Sequence, residues 1–313
     1  MSETPARHEH PSGEQWTFGH GDLRATVVEV GGGLRTLTAG GRDVLAGYGV
    51  DEMASSGRGQ LLMPWPNRLR DGRYRFDGTD QQLALSEPAR GNASHGLVRW
   101  ALWSPLERSD AALTVGYRLH PQQGWSGCLD LTVRYELSGT GLVVTATATN
   151  VGADRVPFGF GAHPYVALGE TRLSDVVLTV PAAVQVLVDD QRKLPTGTAP
   201  VEQGDRDFRQ ARPLGSTRLD TAFTDLERDH DGRWQVRLGG LVDRPDVSIW
   251  GDRAFGWVQV FTDKGEDSGV AGVRGIAVEP LTCPADAFNS GEGLVVLEPG
   301  EQWSGQWGLT VHA

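Results

Sequence analysis

Apolar and polar residues alternate at period two along much of this chain. Residues 113–120 (LTVGYRLH), 129–137 (LDLTVRYEL) and 141–150 (GLVVTATATN) are apolar at nearly every second position, and 175–180 (DVVLTV) and 234–238 (WQVRL) follow suit. Successive side chains of a strand point to opposite faces, so the pattern predicts half-buried antiparallel strands. Turn sequences such as SGTG at 138–141 and DGRW at 231–234 separate them by short gaps, and YRF before the Asp-Gly at 77–78 predicts another short strand. The i, i+3, i+4, i+7 spacing of helices is not sustained anywhere, whereas a parallel α/β fold needs a helix of about 10 to 15 residues between strands. The expected class is therefore all-β: one large antiparallel β-sandwich of many strands with few short helices, with two smaller β-domains as the alternative. Residues 1–14 are polar and expected to be a disordered tail, leaving 15–313 as one domain. The polar, Pro- and Gly-rich stretch 189–219 is read as a long surface excursion, because strand patterning resumes on both sides of it.

Composition narrows the function. The 313 residues include 42 Gly and 10 Trp but two Cys, with 29 Lys+Arg against 40 Asp+Glu and a net charge of −11. The glycines fit a chain with many turns. Such acidity argues against nucleic acid or an anionic membrane as partner, since neutralising phosphates needs clustered Lys and Arg. No apolar run approaches the roughly 20 residues of a membrane-spanning helix, and the N-terminus lacks the apolar stretch of a secretory signal. Cys128 and Cys283 can build neither a disulfide framework nor a four-thiolate zinc site. These features lead us to expect a cytoplasmic protein.

Six segments put polar groups among apolar or glycine neighbours. Asn67 and Arg68 follow two prolines, which should hold the backbone extended there. His95 lies between Ser94 and Gly96, and His163 among small and aromatic residues in FGFGAHPYVAL. Asp220 stands in LDTAFTDL and Gln259 in the apolar FGWVQVFTD. Glu279 ends the run IAV just before Pro280. Each has a plain structural reading: a histidine in an apolar strand is more often a hydrogen-bonded core residue, and Asp220 alone suits a turn. Glu279 resists such a reading, because burying a carboxylate is costly unless it is hydrogen-bonded or used, and burial raises its pKa toward that of a working base. His8-Glu9-His10 has metal-binding residue types but lies in the expected tail, and zinc, calcium-loop, phosphate-loop and serine-hydrolase signatures are missing. No metal site is expected.

Taken in order, the segments resemble the aldose 1-epimerase (galactose mutarotase-like) family. The matching features are Asn-Arg before a G-R-Y-x-x-D-G strand, a His-Gly segment, H-x-Y, Asp ahead of Phe, G-x-x-Q-x-F-T, and Glu with P-x-D-A-x-N downstream, closing with LEPGEQWSGQWGL. The resemblance covers about residues 20 to 310. It implies the family's galactose mutarotase-like supersandwich and cofactor-independent interconversion of the α and β anomers of a free hexose or related aldose. It further implies that Glu279 is the general base and His163 the general acid, that His95 is a second active-site histidine binding on the ring-oxygen side or sharing the acid role, and that Asn67, Arg68, Asp220 and Gln259 bind sugar hydroxyls. The expected partner is a small sugar, with the protein a monomer or weak homodimer. Trp65, Trp100, Trp125, Trp250 and Trp257 are candidates for stacking on the sugar. The chain departs from the usual pattern at SHGLVRW, at HPY and at EPLTCPADAFN. Three further cations near matched segments, Arg70, Arg99 and Arg253, admit a phosphorylated or sulfonated sugar as the alternative. Two others are a non-catalytic sugar-binding module and a glycoside-cleaving enzyme, the latter requiring Asp220 as a second carboxylate beside Glu279.

Overall fold

Strand patterning translates into two large antiparallel sheets, seen in a computed structural model that describes residues 9–202, 204–262 and 274–312. In the nine-stranded sheet the spatial order is Ser104–Arg108, Ala112–Leu119, Leu129–Ser138, Gly141–Asn150, Gln302–Val311, Val247–Gly251, Trp234–Gly239, Val177–Thr179 and Arg212–Pro213. Leu129–Ser138 shows why: its odd positions are buried and its even ones half-exposed or exposed, as period-two patterning requires. The eight-stranded sheet runs Pro195–Pro200, Ala182–Val188, Asp220–Leu226, Trp257–Thr262, Gly275–Leu281, Gly161–Ala162 and Leu61–Leu62, with Tyr165–Ala167 also paired to Gly275–Leu281. Every residue of Gly275–Leu281 is buried, which accounts for the continuous apolar run at 276–278 in place of alternation.

One contiguous core extends from Trp16 to Leu309. Trp303, on a strand of the nine-stranded sheet, stacks on Phe160 at 5.8 Å and meets Phe158 at 5.2 Å, so aromatic rings fill the space between the layers. A four-stranded sheet, Gln15–His20 to Arg42–Asp43, and three two-stranded ladders complete the strands. Helix is confined, among the described residues, to segments of three or four residues. No described helix is long and apolar enough to cross a membrane. The architecture is thus the expected all-β antiparallel sandwich.

Three local expectations need correction. Of the expected tail, residues 1–8 lie outside the described residues, but 10–14 are ordered. Ser12 is buried and its carbonyl accepts from Val30 N–H, while Glu14 O accepts from Glu29 N–H. Backbone pairing carries this segment, which no apolar pattern could signal. Residues 189–219 are more than a surface excursion, since Leu194, Val201, Phe208, Leu214 and Leu219 are buried and Pro195–Pro200 forms the sheet's edge. Prolines suit an edge strand, whose outer N–H groups need no partner. The strand expected at 175–180 shortens to Val177–Thr179, because a helical turn at Leu173–Asp175 precedes it.

Tyr135, fully buried in the nine-stranded sheet, donates its hydroxyl to the Gly32 carbonyl at 2.7 Å and so ties that sheet to the four-stranded one. Tyr135→Phe leaves that carbonyl without its donor, and urea unfolding should show a loss of about 1–2 kcal/mol.

Candidate active site

Strand register assembles the chemical groups. Gly161 pairs with Leu281 and Tyr165 with Ala277, so the same register sets His163 across from Glu279. On the other flank Gln259 is the direct partner of Glu279. The three side chains therefore form one row on one face of the sheet. Asp220 joins from the next strand, two residues along from Ala222, the partner of Gln259. That diagonal spacing lets Gln259 Nε2 donate to Asp220 Oδ1 at 2.9 Å.

A second, smaller ladder brings the remaining groups. Arg68–Arg70 pairs with Asn92–Ser94, and His95 N–H donates to the Asn67 carbonyl at 2.8 Å, continuing that pairing by one residue. The two prolines do not hold Asn67 extended as expected. Asn67 adopts the left-handed conformation at φ 55°, as does His95 at φ 63°. Asn tolerates that region, and here the bend lets its side-chain oxygen accept Arg68 N–H at 2.9 Å. Asn67 N–H donates to His95 Nδ1 at 3.2 Å, so the neutral ring carries its proton on Nε2. Gly96, at φ 69°, follows His95; a Cβ there would sit 1.9 Å from the Met63 carbonyl oxygen, so only glycine fits.

Together these elements line a cleft of about 350 Å3 that contains all seven sequence candidates: Asn67, Arg68, His95, His163, Asp220, Gln259 and Glu279. His163 Nε2 lies 3.4 Å from Glu279 Oε1, and both side chains are at least nine-tenths buried. Tyr165 stacks on the His163 ring at 5.1 Å, and the His95 ring meets it edge-on at 5.7 Å. Gly57 approaches its other side so closely that a Cβ would lie 2.6 Å from the ring. The imidazole is thus held by contacts on several sides. Its Nδ1 and the Glu279 Oε2 are buried without hydrogen-bond partners, one unmet polar atom on each side chain of the pair.

Burial sets the protonation. It raises the Glu279 pKa well above the ordinary carboxylate value, with help from the Asp220 charge and opposition from Arg68. It lowers His163 to about 3, and the Arg99 charge adds to this. His95 is pushed well below 6.5 by burial, then by His163, Arg99 and Arg68.

Sequence reasoning missed Glu87. Its carboxylate takes a two-point grip from Arg68, Nε to Oε2 at 2.8 Å and a terminal nitrogen to Oε1 at 3.1 Å, and a further bond from Asn92. Burial pushes Glu87 up, but these bonds and the Arg68 and Arg90 charges win and hold it below its usual value. Glu87 sits between Ser86 and Pro88 in an unpatterned loop, where nothing marks it out. Gln60, Ser94 and Tyr165 also line the cleft. Of the three additional cations, Arg99 lines it; Arg70 pairs with Asp286 at 3.3 Å outside it, and Arg253 packs against Gly232. Among the tryptophans Trp100 alone is on the cleft wall, half-exposed, while Trp65, Trp125 and Trp250 are core residues and Trp257 packs on Gly293. His8 lies outside the described residues, and His10 bonds Asp51 at 3.1 Å. No cluster of three or more His, Cys, Asp or Glu among the described residues could hold a metal ion.

The architecture is an all-β sandwich with a buried carboxylate–imidazole row in an open polar cleft, and comparison with known proteins supplies the family. The chain belongs to the aldose 1-epimerase family, whose model matches residues 14–310. It is 33% identical over 293 residues to the uncharacterized protein YihR of Escherichia coli, covering 93% of this chain and 91% of that one. It is 29% identical over 156 residues to human galactose mutarotase, 48% of this chain and 44% of that one. The structure of the aldose epimerase homologue from C. elegans superimposes with a TM-score of 0.83 at 19% identity, over 95% of this chain and 98% of that one.

The raised Glu279 pKa carries a stability consequence. As pH rises past the ordinary carboxylate value, the unfolded chain releases a proton that the folded chain keeps, so stability falls until the raised pKa is passed. Glu279→Gln removes that loss. Its thermal midpoint relative to the native protein should therefore rise by about 2 °C or more between pH 5 and pH 8, measured by calorimetry.

Proposed function

We propose that this protein is an aldose 1-epimerase that interconverts the α and β anomers of an aldose by opening and reclosing the ring. The observation that supports it most is the His163–Glu279 pair, fixed 3.4 Å apart by register at the cleft floor, with one polar atom of each left unpartnered. Mutarotation needs a proton taken from the anomeric hydroxyl while another reaches the ring oxygen. Glu279 takes the first, His163 gives the second, and the bond between C1 and the ring oxygen breaks to leave an open-chain aldehyde. Rotation about C1–C2 presents the other face, and closure reverses both transfers.

Burial leaves the resting proton on Glu279, so the reactive form is the one in which that proton has passed to His163 across the 3.4 Å gap. With Glu279 raised and His163 lowered, the pair holds one proton across the neutral range. Ring opening moves a proton on to Glu279 and one off His163, so the pair's proton count is unchanged through the reaction. His95, donating through Nε2, is suited to the ring-oxygen side. Asn67, Arg68, Asp220 and Gln259 hold hydroxyls so that the reacting atoms stay between base and acid. Arg68 comes with its charge already neutralised by Glu87, as suits a residue that binds neutral hydroxyls. Trp100 offers an apolar face at the rim.

Glu279→Gln and His163→Asn should each slow anomer exchange by about 10²-fold or more, followed by NMR exchange with the spontaneous rate subtracted. No acceleration by the native protein with any neutral or anionic aldose would sink the reading. Because His163 titrates far below a free histidine, kcat/KM should stay level through about pH 6.5, where an ordinary imidazole would gain its proton. An inflection there would mean that the pair does not share a single proton.

A further inference from the structure

Arg68 reaches the cleft with most of its donors already committed. Its Nε donates to Glu87 Oε2 at 2.8 Å and Nη2 to Glu87 Oε1 at 3.1 Å, while Nη1 has a 3.5 Å contact with Asn67 Oδ1. Nη1 is therefore the nitrogen left to meet a sugar hydroxyl. Glu87 is itself fixed. Its backbone exchanges two hydrogen bonds with Asn92, at 2.9 and 3.2 Å, and Arg90 approaches its carboxylate at 3.3 Å. The fully buried Asn92 amide donates to Glu87 Oε2 at 3.1 Å and to the Arg192 carbonyl at 2.9 Å. Its oxygen accepts from the Arg192 guanidinium at 3.2 Å. With both N–H groups and the oxygen engaged, that amide has one orientation, and the Glu87 carboxylate meets Arg68 at one place.

Arg68 also acts through its charge. It lowers both Glu279 and His95, and at Glu279 it opposes the burial that keeps the carboxyl protonated. The charged groups facing Glu279 are His163 at 3.4 Å on one flank, Asp220 beyond Gln259 on the other, and Arg68 from the wall. Of these, Arg68 is the cation that draws the proton off Glu279. A two-point carboxylate on its guanidinium turns that wall from a bare cation into a pair with little net charge. Resting on the mutarotase reading above, we propose that Glu87 is a positioning residue for anomer exchange: by gripping Arg68 at two points it aims Nη1 at a sugar hydroxyl and offsets the guanidinium charge beside the His163–Glu279 pair. Without that offset the pair gives up its shared proton at lower pH, and the upper end of the working range contracts.

The test follows the Glu279 carboxyl directly, by carbon-13 NMR of protein labelled at its glutamate carboxyls, with the signal assigned by its loss in Glu279→Gln. In Glu87→Gln, which keeps the shape of the side chain, the midpoint should fall by about half a pH unit or more, and the alkaline limb of kcat/KM should move down with it. Glu87→Asp keeps the charge, so its midpoint should stay within about 0.2 of the native value. For whichever of glucose, galactose and glucose 6-phosphate is exchanged fastest, KM should rise about 10-fold in Glu87→Gln, because Arg68 loses its support. A midpoint unmoved in Glu87→Gln, one moved as far in Glu87→Asp, or an unchanged KM would overturn the inference and leave the mutarotase reading intact. No exchange of these aldoses by the native protein, with the midpoint still moved in Glu87→Gln, would sink the mutarotase reading and leave the charge offset standing.

Discussion

A carboxyl and an imidazole facing each other across a fully buried strand is the constraint on which the rest of the structure depends. Neither group is comfortable charged away from water, and the neighbourhood is built to hold them there. The ladder on both flanks of Gly275–Leu281 fixes their separation to within a register step, since a slip of one residue would turn Glu279 into the opposite layer. The imidazole is stacked by Tyr165 and closely approached by a glycine, so its orientation is set before any ligand arrives. The site is thereby preorganised at the cost of two buried polar atoms with no protein partner.

The cleft joins two kinds of scaffold. Its floor is regular sheet, where position follows from pairing. Its wall is a short ladder whose last residues, Asn67 and His95, bend into the left-handed region to hydrogen-bond each other. Residues held in sparsely populated backbone conformations persist only where the surroundings determine them. Here the prolines before Asn67 and the close approach of Gly96 to Met63 supply that determination. Arg68, Glu87 and Asn92 then link the wall into a network that also reaches Arg192, whose guanidinium bonds Asn92, Gly91 and Asp71 from the excursion at 189–219.

Much of this was legible in the sequence because it rests on periodicity. Strands such as Gly141–Asn150 announce themselves by alternation, and the expected segment and the observed strand share both ends. Glu279 stood out because a charge at the end of an apolar run contradicts its surroundings, and burial confirms that contradiction. What stayed hidden lacks a local signature. Glu87 is in an ordinary polar loop and acquires its position only through Arg68, nineteen residues away. The packing of residues 10–14 depends on backbone partners at 29 and 30, which no side-chain pattern encodes. Arg99 could be named among three cations but not separated from Arg70 and Arg253, since facing a cleft or turning from it is a property of the folded chain.

The strand Gln302–Val311 lies in the middle of the nine-stranded sheet, paired on one side with Gly141–Asn150 and on the other with Val247–Gly251. A chain emerging from the ribosome therefore makes both neighbours long before it makes the strand that separates them. Until that strand appears, its two neighbours stand with open edges, and the sheet exists as halves. Completion of the sandwich waits for a strand made after both of its neighbours, and the interval before it is when the sheet is most exposed to wrong pairing.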